Sequence, residues 1–114
     1  MIKYEKIFII YINIYLLNLN LEVIFLKNSL FNELVKCYNS GRLTTSNLNE
    51  IKKKYDPKEV DVVCACVIND PVSLQDCIDK KYELSICNDE VLRYTIYNGY
   101  IEVSRLLIKM GVSV

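Results

Sequence analysis

The side chains that could carry chemistry are few. They are five cysteines (Cys37, Cys64, Cys66, Cys77, Cys87), the carboxylate pair Asp76 and Asp79, and the tyrosines Tyr94, Tyr97 and Tyr100; histidine is absent. Without histidine no Ser-His or Cys-His pair can be assembled. Cys64 and Cys66 stand two apart, which on a helix turns their side chains about 200° from each other. They cannot share a zinc ion there, and zinc favours wider Cys pairs or Cys with His. An odd number of cysteines without framework spacing argues against a disulfide scaffold. The thiols read as small apolar fillers in a reducing compartment. Asp76 and Asp79 read as a solvated face with Lys80, opposite an apolar stripe. Gly41, Gly99 and Gly111 fall at expected helix ends, not in a phosphate loop. No cofactor, no metal and no enzymatic activity is expected. The tyrosines suit either an interface or packing between helices.

The chain that positions these groups has 114 residues, enough for one small domain or a short repeat array. Its 14 basic and 14 acidic residues cancel. No basic field is available to hold phosphates, so nucleic acid is not an expected partner.

The organising feature is internal repetition. Asp61 to Ser85 aligns without a gap under Glu90 to Val114, an offset of 29 residues. In that register Val62 pairs with Val91, Val63 with Leu92, Cys66 with Thr95, Val67 with Ile96, and Asn69 with Asn98. Val72 pairs with Ile101, Leu74 with Val103, Cys77 with Leu106, and Ile78 with Leu107. The apolar positions recur at the helical period. Each unit breaks once, at Asn69-Asp70-Pro71 and at Asn98-Gly99-Tyr100. Asp-Pro reads as an N-cap followed by a first-turn proline, and Asn-Gly as a left-handed turn after a helix. First helices are expected near 61–69 and 90–98, and second helices near 72–81 and 101–110. A weaker third copy begins at NELVKCYNSGRL, with a second helix around Ser46 to Tyr55 that Pro57 ends. Short apolar helices at such a period signal stacked helical hairpins.

Ile7 to Leu26 reads IFIIYINIYLLNLNLEVIFL, long enough to span a bilayer as a helix of about 20 residues. Asn13, Asn18, Asn20 and Glu22 interrupt it, and a carboxylate is costly there unless it lies near an end. These residues do not share one face, which argues against a surface amphipathic helix. Leu17 to Val23 alternates as a strand does. Three roles stay open: a membrane helix, a signal peptide without a clean cleavage site, or an element capping the stack. At the other end no polar capping repeat follows Leu106 and Leu107, so those residues are expected to be partly open to water or covered by another chain.

The segment Asn98-Gly99-Tyr100-Ile101-Glu102-Val103-Ser104-Arg105-Leu106-Leu107-Ile108-Lys109-Met110-Gly111 resembles the second-helix pattern of ankyrin repeats. It departs from that pattern at Tyr100, Ser104 and Val112-Ser113. Of the family's opening T-P-L-H-x-A box only Leu92 survives, with Arg93 in the His place and Thr95 in the Ala place. The period is shorter than the usual 33. Shortened repeats in a chain rich in Asn, Ile, Lys and Tyr resemble the divergent ankyrin-repeat proteins of large DNA viruses. The resemblance implies an all-α stack of two to three helix-turn-helix repeats with an apolar N-terminal segment. The corresponding division is 1–29 apolar segment, 30–60 weak repeat, 61–89 repeat and 90–114 repeat. It implies a non-enzymatic module that binds a protein partner, in the cytoplasm (the host's, if viral). The alternatives are a single-pass membrane-anchored repeat protein through Ile7–Leu26, and a truncated repeat protein without a function of its own. In ankyrin stacks, partners meet the loop tips and the concave face lined by first helices. On this chain that implies Ala65, Ile68, Arg93, Tyr94 and Tyr97, with the loop from Lys81 to Glu83.

Overall fold

A computed structural model describes residues 28–113. Among the described residues the fold is all-α, with six helices and no strand. They are α1 (Ser29–Asn39), α2 (Thr45–Lys54), α3 (Pro57–Val67), α4 (Pro71–Asp79), α5 (Asp89–Tyr97) and α6 (Ile101–Lys109). The apolar segment Ile7–Leu26 lies outside the described residues, so its three expected roles stand as they were. No described helix is long and apolar enough to cross a membrane.

Local chemistry sets the helix starts. Asp70 accepts a hydrogen bond from the Ser73 N–H at 3.0 Å, and Pro71 occupies the first turn, where its missing N–H costs nothing. Asp56 and Pro57 do the same for α3. Pro57, expected to end the preceding helix, therefore opens the next one, and the expected boundary at 60/61 falls inside α3. Thr44 caps α2 and Asn88 caps α5. Among the described helices only α6, preceded by Tyr100, has no side-chain cap bond.

The helix ends share one device. Gly41, Asn69, Lys81, Gly99 and Gly111 each take a positive φ, and the next residue's N–H bonds back into the last turn. The bonds are Arg42 to Cys37, Asp70 to Ala65, Tyr82 to Cys77, Tyr100 to Thr95, and Val112 to Leu107. This closes the carbonyls that a helix end leaves open.

These landmarks correct the register. Val67 and Tyr97 end the first helices, Pro71 and Ile101 begin the second, and the turn bonds from Asp70 and Tyr100 follow suit, all 30 residues apart. Asn69 therefore corresponds to Gly99, Leu74 to Ser104 and Cys77 to Leu107. The 29-residue offset looks right because α3 and α5 each carry two adjacent buried stripes. Val62, Val63, Cys66 and Val67 are buried, as are Val91, Leu92, Thr95 and Ile96. Sliding by one residue still lays apolar on apolar. The second helices expose the slip: Val72 and Ile101, paired as core in that offset, are 78% and 36% exposed.

The core centres on α3, which packs on α1, α2, α4 and α5. Val60, Val62, Val63, Ala65, Cys66 and Val67 are all buried, as suits a helix apolar nearly all round. Hairpin α3–α4 lies beside hairpin α5–α6 through both α3–α5 and α4–α6 contacts. Leu107 is fully buried within this chain and Leu106 partly so, so Leu107 is not the uncovered position expected of it. Side chains of α1 also reach α5: the Phe31 ring meets Tyr94 edge-on, with centroids 5.4 Å apart.

Candidate interaction surface

The five residues expected to meet a partner fall in different settings. Ala65 and Ile68 line an open groove of about 200 Å³ between α3 and α4, whose wall continues through Asp61, Asp76, Cys77 and Lys80. Ala65 itself is buried, and Ile68 is partly buried.

Arg93 was expected on an exposed face, and the structure buries it. Its Nη2 donates to the Asp89 carboxylate at 2.9 Å and its Nε to the Asp89 carbonyl at 3.1 Å. A buried guanidinium requires such partners, and the i, i+4 spacing on α5 supplies one. Thirty residues earlier the same position is Val63, which explains why it lies in the core.

Tyr94 is half-buried between Phe31 and Tyr100; the Tyr94 and Tyr100 centroids are 6.0 Å apart at near-perpendicular angles. Edge-on rings of this kind attract through their quadrupoles. Burial, with the nearby Tyr94 and Tyr38 phenols, raises the Tyr100 hydroxyl above its ordinary range. Burial also raises Tyr94, against a hydrogen bond from Tyr100 that lowers it. Both stay neutral at physiological pH. Tyr97 is 58% exposed. The face carrying Tyr94 is thus partly covered by the chain's own α1. Phe31 and Tyr38, seven residues apart on α1, were not singled out from the sequence, although that spacing places both on one helical face.

The expected loop contact, Lys81 to Glu83, centres on a half-buried tyrosine. The ammonium groups of Lys58 and Lys80 sit 5.7 and 5.9 Å from the Tyr82 ring centre. These cation–π contacts hold the loop against both ends of the α3–α4 hairpin.

The thiols are all free. A hydrogen bond with Cys87, together with burial, holds the Cys66 thiol well above its ordinary range, and burial raises Cys64 and Cys77. Such thiols are poor nucleophiles. Asp76 pairs with Lys80 at 2.8 Å, and Asp79 accepts from Gln75 at 2.9 Å; both carboxylates are on the solvated face. Among the described residues no group of three or more His, Cys, Asp or Glu side chains is placed to hold a metal. No described buried side-chain polar atom lacks a hydrogen bond, so no orphaned donor or acceptor marks a ligand site. Comparison with protein-family models, with curated proteins and with solved structures finds no match.

Proposed function

We propose that the chain is a non-enzymatic protein-interaction module built from ankyrin-like repeats. The observation that carries this reading is the recurrence, 30 residues apart, of helix ends and turn hydrogen bonds in two adjacent hairpins. Helical hairpins that lean on their neighbours are the unit of repeat proteins, and such proteins act by presenting surface. The resemblance of Asn98 to Gly111 to the ankyrin second-helix pattern supports the family. The five free thiols fit a reducing compartment, and the cytoplasm is the location this reading favours.

The test is capture of partners from source cells on the full-length chain, with Tyr97→Ser and Ile68→Asp as surface variants. A stoichiometric partner lost by a variant whose melting curve matches the parent supports the module and maps its face. If the parent retains nothing beyond an unrelated bait, or the same set survives every surface change, the reading fails.

A further inference from the structure

The two hairpins present different flanks to what lies beside them. On α4 the flank lining the groove carries Asp76, Cys77 and Lys80, and the Asp76 and Lys80 side chains are 60% and 55% exposed. Thirty residues on, the same positions are Leu106, Leu107 and Met110. Leu107 there is buried, Leu106 partly buried and Met110 48% exposed, in a helix that packs on α4. The groove flank of α4 is therefore the surface on which a preceding second helix would lie. α2 packs chiefly on α3 and meets the groove wall through Lys52, which pairs with Asp61 at 3.1 Å.

The opposite flank repeats the relation in reverse. Ile78 is partly buried against the core, and its counterpart Ile108 is 44% exposed. Ile101, Arg105 and Ile108 recur at helical spacing along that side of α6, and all three are exposed. This is the flank that a following second helix would cover.

We propose that these two flanks are made for each other: the chain associates head to tail with a second copy of itself, α6 of one copy seating on the groove flank of α4 in the next. This rests on the repeat-module reading above and names its partner. Two observations choose this occupant. The contact continues the packing already present between α4 and α6. The charges also match: Asp61, Asp70 and Asp76 line the groove against one ammonium, Lys80. With Asp61 tied to Lys52 at 3.1 Å and Asp70 capping α4, Asp76 is the carboxylate that Arg105 would meet. Arg105 and Asp76 are now held in exposed intrahelical pairs, with Glu102 at 3.4 Å and Lys80 at 2.8 Å. Exposed pairs contribute little, so exchanging them across an interface costs little. A head-to-tail dimer leaves one free flank of each kind, so further chains can add until a ring closes or a filament grows.

Light scattering behind size exclusion on the full-length chain tests this. The parent should rise with concentration from 13.3 kDa to twice that mass and beyond. Ile108→Glu or Arg105→Glu spoils only the α6 flank, and Asp76→Lys spoils only the groove flank. Each variant alone should stay monomeric with a parent-like melt. Mixing Ile108→Glu with Asp76→Lys should restore a complex that stops at two chains, because one intact flank of each kind remains. An Asp76→Lys protein that still associates would mean a different contact and overturn the proposal. So would a mixture that stays monomeric, or a parent that stays at 13.3 kDa at millimolar concentration. In that last case a cooperative melt leaves the module reading standing, which partner capture tests separately.

Discussion

In residues 57–113 each helix lies against its neighbour in sequence: α3 on α4, and α5 on α6. In residues 28–56 both helices pack chiefly on α3. Polar ties between α1 and α2 run from Lys54 to Glu33 and from Tyr55 to Ser29. Their local chemistry is otherwise alike, for α1 ends in the same left-handed turn as α3 and α5. What differs is the connection. Three residues join α3 to α4 and α5 to α6, and five join α1 to α2. Short connections force antiparallel neighbours together, and the longer one lets α2 settle on α3. The difference teaches that caps and turns define helices, and connection length then decides which helices become partners. It also leaves α2 with one buried residue, Ile51, against the six of α3.

The largest contrast between the regions should appear in core truncations. Leu107→Ala removes a fully buried side chain and should lower the unfolding free energy by roughly 2–5 kcal/mol. Leu48→Ala, in a partly buried position on α2, should cost less than half as much. Urea denaturation measures both, and equal losses would erase the distinction. Next come the turns. Gly99 has φ of 73°, so Gly99→Ala should cost about 1–2 kcal/mol. Asn69→Gly should be neutral or slightly stabilising, since Asn69 already holds φ of 60°. An Asn98→Gly variant that behaves like Asn69→Gly would restore the 29-residue register.

The caps should follow. Asp70→Ala should cost about 1 kcal/mol at neutral pH. The Ser73 backbone N–H and then its hydroxyl hold the Asp70 carboxyl below its ordinary value. A carboxyl lowered on folding stabilises fully above the ordinary range of about 4, and that contribution fades as pH falls through the lowered value. Asp70→Asn keeps the cap and should show less acid loss between urea midpoints at pH 7 and pH 3. Equal acid loss in parent and Asn variant would assign the sensitivity elsewhere. The smallest effect belongs to the ties of residues 28–56. Lys54→Ala removes an exposed partner of Glu33 and should leave the melting curve unchanged. A drop as large as that of Asp70→Ala would show that ion pairs anchor α2 after all.

Much of this was legible in the chain. Asp70-Pro71 and Asn98-Gly99 mark a helix start and a helix end by chemistry that needs no tertiary context. Asp56-Pro57 carries the same start signal, and reading Pro57 only as a stop hid the first turn of α3. The doubled apolar stripes of α3 and α5 made two registers look equally apolar, and only helix ends separate them. Burial of Arg93 was not legible, because Asp89 looks like an ordinary first-turn acid until the core closes over the guanidinium. The contact of Phe31 with Tyr94 depends on where α1 lies, which its own residues do not state.

One side chain has a consequence for how the molecule comes into being. Asn28 is buried; it accepts from the Phe31 N–H and donates to the carbonyl of Ile86, 58 residues along the chain. On a ribosome, α1 emerges long before Ile86 is made. Its first turn can form at once, but the buried amide has nothing to donate to until α3 and α4 have been synthesised and the loop beyond them has left the exit tunnel. Completion of a contact made by an early helix therefore waits on a late loop. A translational pause before Ile86 would let α1 meet α3 while the Asn28 amide still lacks its carbonyl.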